Sequence, residues 1–174
     1  MLAQIRTFAL IGLSSAALGT PMQPADARTT ETTLVGPPWI SIEYPVNPHD
    51  QTMRNAFLAV HCFHHWEPVA CPLTGTAEGI VNGERRSIKL SFTETRRTGV
   101  YALARQWPSE AGGVWTLVIR GSATAVVDLA PDGQVASVRV PSRQQDGWTI
   151  PVDVSMSEID QGLRARASAL ASRQ

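Results

Sequence analysis

Between residues 37 and 141, short apolar runs recur at near-regular spacing, each closed by Pro, Gly or Asn. Several of them alternate apolar and polar residues with the period of two that a half-buried strand demands. Asn82-Gly83 stands between two such runs. Asn-Gly between extended segments is the strongest short-range hairpin signal, because a type I′ turn needs positive φ at both centres. Together these observations predict an all-β chain: an immunoglobulin-like antiparallel β-sandwich over 37–141, with an N-terminal signal segment before it and a short C-terminal helix after it.

Residues 1–27 read as a secretory signal. Arg6 supplies the positive end, Phe8 to Leu18 the apolar stretch, and Ala25-Asp26-Ala27 the small-x-small cleavage pattern. The apolar run is about eleven residues, and a helix needs ~20 to span a bilayer. Cleavage is therefore expected, with no membrane span left behind and a periplasmic or secreted location. Residues 28–36 are polar and Thr-rich and read as a flexible leader, closed by Pro37-Pro38.

The first strand is expected at Trp39 to Tyr44, with Ile40, Ile42 and Tyr44 on one face; Pro45 and Pro48 stop it. Ala56 to Phe63 is the second. Its faces are Leu58, Val60 and Cys62 against Phe57, Ala59, His61 and Phe63, apolar on both sides as in a sandwich interior. His64 to Pro68 reads as the following turn, and Val69 to Leu73 leads into the next strand. At Asn82-Gly83 the pairing places Val81 opposite Glu84, Glu78 opposite Ser87 and Thr76 opposite Lys89. Gly99 to Ala104 is a further strand, Trp107 to Gly113 a turn, and Val114 to Ile119 a strand with Trp115, Leu117 and Ile119 facing one way. Pro131-Asp132-Gly133 marks a second hairpin between Ala125–Leu129 and Val135–Val140. Glu78, Glu84 and Glu94 read as solvated positions, and Arg85-Arg86 and Arg96-Arg97 as exposed charge at strand ends.

The remainder, 142–174, is an extension. Pro141 to Gly147 is polar and Trp148 to Val154 extended. Ser155-Met156-Ser157-Glu158 has capping-box spacing. Ile159, Leu163 and Leu170 then recur at helical spacing, which predicts a short helix over about 156–171. Whether that helix docks on the sandwich is left open by its weak apolar face.

Charge excludes one class of partner. The chain has 15 Lys+Arg against 15 Asp+Glu, whereas a nucleic-acid-binding domain carries a basic excess. Lys89 is the sole lysine, a bias towards arginine that reads as GC-rich coding rather than a phosphate site.

Chemically unusual residues collect in Val60 to Pro72, which holds three of the four histidines and both cysteines. Three readings compete. In an oxidising compartment Cys62 and Cys71 pair as a disulfide, closing a strand-turn unit. Alternatively His61, His64, His65, Cys62 and Cys71, joined by His49 or Met53 from the preceding connection, offer donors for copper or zinc. Spacing opposes that reading: on a strand His61 and His65 share a face but sit ~13 Å apart, and oxidation removes the cysteines as ligands. Only a turn lets His64 or His65 fold back towards Cys71 or His49. The third reading is a binding loop in which His64, His65 and Trp66 are displayed on a stapled turn, Trp66 serving as an amphipathic anchor. No Gly-x-Ser-x-Gly elbow, His-Glu-x-x-His pair or Gly-rich phosphate loop is present, so a non-catalytic protein without a resident cofactor is expected.

Thr98-Gly-Val-Tyr101 followed by Gly113-Val-Trp-Thr-Leu-Val118 resembles the paired strands of small bacterial exported immunoglobulin-like domains, the YtkA-like and FixH-like group. The resemblance implies that a glycine opens each strand and that the adjacent aromatic packs between the sheets. Copper-handling relatives of that group carry His and Met near the mature N-terminus. No histidine adjoins it here, so no metal site is carried over. The function expected is an exported binding or structural domain of the cell envelope, with a protein or envelope partner. The alternative is a periplasmic copper or zinc protein using the His61–Cys71 stretch.

Overall fold

The computed structural model describes residues 37–108 and 113–172. The signal segment and leader expected over 1–36 lie outside the described residues, as does part of the Trp107–Gly113 turn. In chain order the described strands are β1 (Trp39–Glu43), β2 (Leu58–His64), β3 (Glu67–Pro68), β4 (Thr74–Val81), β5 (Glu84–Lys89), β6 (Thr93–Glu94), β7 (Val100–Leu103), β8 (Val114–Arg120), β9 (Thr124–Leu129), β10 (Val135–Arg139), β11 (Ser142–Gln145) and β12 (Trp148–Pro151), followed by helix α1 (Met156–Ala171). One sheet has the order β1-β2-β7-β6, with β3 added to β2; the other runs β10-β9-β8-β4-β5. All pairings are antiparallel. In immunoglobulin lettering the first sheet is A-B-E-D and β5-β4-β8-β9 is C′-C-F-G, with β10 added beyond G. The expected immunoglobulin-like sandwich is the fold.

Period-two alternation decides which side chains enter the core. Ile40, Leu58, Val60 and Cys62 from the first sheet meet Ala77, Val81, Trp115, Leu117, Ile119, Ala125 and Val127 from the second. The Ile40 face of β1 and the Trp115, Leu117 and Ile119 face of β8 are the ones that alternation marks out in the sequence. Each fully buried large aliphatic side chain contributes about 1.5–3 kcal/mol. Trp115 fits because Gly79 lies opposite it in register; a Cβ at Gly79 would sit 2.5 Å from the indole. The Asn82-Gly83 turn has φ of 51° and 80°, and it pairs Val81 with Glu84, Glu78 with Ser87 and Thr76 with Lys89 as the sequence predicts.

Several expectations are corrected. β2 continues through His64, so the stretch read as an open turn is a hairpin with β3. Ser142–Gln145 pairs with Trp148–Pro151 through Asp146-Gly147, whose φ values are 51° and 81°; the Asp-Gly signal makes a hairpin where the sequence reading has polar chain and then a lone extended segment. Glu78 is not solvated: it is 2% exposed. Its carboxylate lies 2.7 Å from Arg85 and accepts from the Ser87 hydroxyl at 2.9 Å. Arg85 in turn reaches Asp160 of α1 at 2.7 Å, so it is not free surface charge.

The cause of these last two corrections is α1. Ile159 and Leu163 pack on Val114, Val118, Val126 and Val154 across the outer face of the second sheet. The helix docks, which explains why β8 is buried on both faces. Ser155 caps it, its hydroxyl accepting from the Glu158 N–H at 3.2 Å. Arg166 reaches down from α1 to the carbonyls of Trp115 and Leu129, both at 3.2 Å, to the Thr116 hydroxyl and to Asp128 at 3.2 Å. Burial pulls this guanidinium below its ordinary range, with Asp128 opposing. On the first sheet, part of the outer face is covered by Met53, 2% exposed, packed on Ala59 and Val100.

Candidate binding site

Residues 58–71 form one stapled unit. The β2–β3 hairpin pairs Phe63 with Pro68 and His64 with Glu67, leaving His65 and Trp66 as a two-residue loop. Their φ values are 51° and 69°, positive at both centres. The same pattern recurs at Asn82-Gly83 and Asp146-Gly147, where Asn or Asp precedes glycine. Here the second position is a tryptophan. The left-handed region costs an L-residue with a Cβ roughly 1–2 kcal/mol, and a bulky side chain there is an outlier. The fold therefore makes two such turns with glycine at the second centre and a third with tryptophan there, His65 being a residue that tolerates the first.

The surroundings hold the turn in place. Cys62 and Cys71, nine apart in sequence, form a disulfide with Cα atoms 6.2 Å apart. The Val69 N–H donates to the Cys62 carbonyl at 3.0 Å, and the Cys62 N–H donates to the Gly99 carbonyl at 2.7 Å. The Cys71 N–H donates to the Tyr101 hydroxyl at 3.0 Å. Gly99 must be glycine: its φ is +71°, and a Cβ would lie 2.6 Å from the carbonyl oxygens of both Cys62 and Val69.

Trp66 is 91% exposed. Its ring lies 6.3 Å from that of Phe63, with planes 9° apart. Beside it is an open cleft of about 420 Å³ lined by His61, Phe63, Trp66, Pro68, Arg97 and Val100, with Cys62, Thr98 and Gly99 completing the wall. Arg97 pairs with Asp50 at 3.4 Å, and His61 Nε2 lies 2.8 Å from a Glu43 carboxylate oxygen. Asp50 is held below the usual carboxylate range chiefly by the Thr52 hydroxyl, with the Thr52 N–H and Arg97 adding to it. No carboxylate side chain lines the cleft itself.

The donors proposed for a metal do not converge. His61 is engaged by Glu43 on β1. His49 sits exposed in the β1–β2 connection, its N–H donating to the Asn47 side chain at 3.0 Å. Met53 is buried against Ala59 and Val100, and both cysteines are consumed by their bridge. His64 and His65 do come together, ring centroids 4.1 Å apart; the turn folds them onto each other rather than towards Cys71 or His49. Among the described residues no three His, Cys, Asp or Glu side chains form a group that could hold a metal ion.

Sequence reasoning finds His61, His64, His65, Trp66 and the cysteines, and misses the cleft. Phe63 was legible, since it shares the outward face of β2 with His61. Pro68 reads only as the end of a turn, and Arg97 arrives from a distant loop that periodicity does not place.

No protein-family model, curated protein or solved structure matches this chain. Among the described residues no helix is long and apolar enough to cross a membrane.

Proposed function

We propose that this chain is an exported, non-catalytic binding domain of the bacterial cell envelope that presents His64, His65 and Trp66 to a protein partner. The observation that carries the reading is Trp66: a large aromatic side chain, 91% exposed, held at positive φ in a turn that Asn-Gly would make without strain. Residues kept in sparsely populated backbone regions cluster at functional sites, and exposed tryptophan is the residue interfaces most often anchor on. Export is supported by the signal-like first 27 residues together with the bridged Cys62 and Cys71, since disulfides persist in oxidising compartments. The A-B-E-D and C′-C-F-G strand orders are those of immunoglobulin-like sandwiches in general; placement in the exported group rests only on the Gly99–Tyr101 and Gly113–Val118 phrases. The non-catalytic part of the reading rests on the motifs the sequence lacks. The copper or zinc alternative would require reduced cysteines and a His61 released from Glu43, and no observation favours it.

The test is site-specific photo-crosslinking in intact cells. A photoreactive residue at position 66 is expected to give a discrete adduct, and the same residue at the exposed Glu84 position none. Equal smears from both positions, or no adduct from either, would count against the proposal.

A further inference from the structure

We infer that the cleft beside Trp66 takes a carboxylate-bearing apolar peptide segment, an aromatic or aliphatic side chain followed by Glu or Asp, from the partner protein. The inference rests on the binding reading above and names the chemistry that the site recognises.

Three observations lead to it. First, the cleft is where the outer face of the first sheet lies open. The rest of that face near Ala59 is covered by Met53, and the outer face of the second sheet carries α1. Second, much of the cleft's lining is apolar and aromatic, with Phe63, Trp66, Pro68 and Val100. Its volume of about 420 Å³ lies in the range that accommodates a side chain and its neighbours. Third, the polar groups that line it are Arg97, His61 and Thr98, with no carboxylate among them. Arg97 and His61 each already meet a carboxylate outside the lining, Asp50 and Glu43, so what favours an anion beside the apolar group is the part of the Arg97 guanidinium that Asp50 leaves unused.

Arg97 is placed to receive it. Its pair with Asp50 is made by one terminal nitrogen at 3.4 Å, and the side chain is 55% exposed. An exposed pair of this kind contributes little, and the guanidinium presents further N–H groups in a fork that matches a carboxylate. Asp50 is itself held by the Thr52 hydroxyl at 2.6 Å and N–H at 2.9 Å, so it fixes the direction of Arg97 without closing the cleft. His61 is kept in orientation by Glu43 in the same way.

The experiment titrates ¹⁵N-labelled full chain with two blocked peptides, acetyl-Gly-Phe-Glu-Gly-amide and its Phe-Gln counterpart, following the Trp66 indole N–H and the Val100 amide. The Phe-Glu peptide is expected to saturate both signals and to bind about tenfold more tightly than Phe-Gln, the discrimination a charge-assisted hydrogen bond supplies. Arg97→Gln is expected to bring the two peptides within about twofold of each other, and Arg97→Lys to restore part of the preference. Trp66→Gly is expected to weaken both. Equal affinities in the parent protein, an unchanged preference in Arg97→Gln, or the same shifts arising from self-association on concentrating the protein alone would each overturn the inference. If neither peptide binds while the crosslink from position 66 persists, the peptide chemistry fails and the binding reading stands; if the crosslink is also absent, both fail.

Discussion

The Trp66 ring lies over Phe63, three residues earlier on β2, with centroids 6.3 Å apart and planes 9° from parallel. Phe63 belongs to a paired strand, whereas Trp66 sits at the tip of the turn with 91% of its surface in water. The stack therefore orients the indole without burying it. An aromatic pair contributes about 0.5–1.5 kcal/mol beyond burial, which is no larger than the roughly 1–2 kcal/mol that a left-handed backbone costs a residue with a Cβ. Packing alone does not account for tryptophan at this position.

The disulfide holds that arrangement. A bridge spanning nine residues in sequence stabilises by about 2.5–3 kcal/mol in the chain-entropy model. Thiol titration of the native protein is expected to find no free thiol. Cys62→Ser/Cys71→Ser is expected to lower unfolding stability by that amount in urea, and to broaden the amide signals of 63–67 before those of β8.

The helix is fastened by a charge network whose one buried member is Glu78. Arg85 bridges Glu78, whose side chain is 3% exposed, and Asp160 on α1. Removing one partner leaves a buried carboxylate uncompensated, which costs about 3–5 kcal/mol, while replacing both with apolar residues is close to neutral. Arg85→Met is therefore expected to be strongly destabilising, and Glu78→Leu/Arg85→Met to recover most of the loss, as read from paired denaturation curves.

Acid weakens the attachment of the chain that leads into α1. Asp153 accepts from the Thr124 hydroxyl at 2.8 Å and from the Val154 N–H at 2.9 Å. The Thr124 bond, followed by the Val154 N–H and Arg120, holds its carboxyl below the ordinary value of 3.8. A carboxyl depressed in the folded state adds stability that is fully present above its unfolded value and is lost as pH falls through its folded value. Stability is thus expected to fall below about pH 4, and Asp153→Asn to flatten that acid limb. A parallel pH dependence for parent and variant would remove Asp153 from the account.

Much of the fold is legible in the residues. Asn82-Gly83 sets its own register because only a few residue pairs suit a type I′ turn. Trp115, Leu117 and Ile119 mark a core face by alternation. The short elements are not legible: β3 and β6 are two residues each, too short for a period to show. Glu78 misleads because a carboxylate on a strand reads as solvated until α1, far along the chain, covers it. Asp146-Gly147 carried its hairpin signal, but the exposed polar strands around it lack an apolar face. His65-Trp66 resembles no turn motif. The same violation of turn chemistry that hid the hairpin from the sequence is what marks it in the structure.

The most direct test of the account is the unfolding free energy of a His65→Asn/Trp66→Gly variant, which gives this turn the chemistry of Asn82-Gly83. A gain of about 1 kcal/mol or more is the predicted result. A loss of stability would show that Trp66 is kept for its packing on Phe63, and would contradict the claim that the turn is held strained for binding.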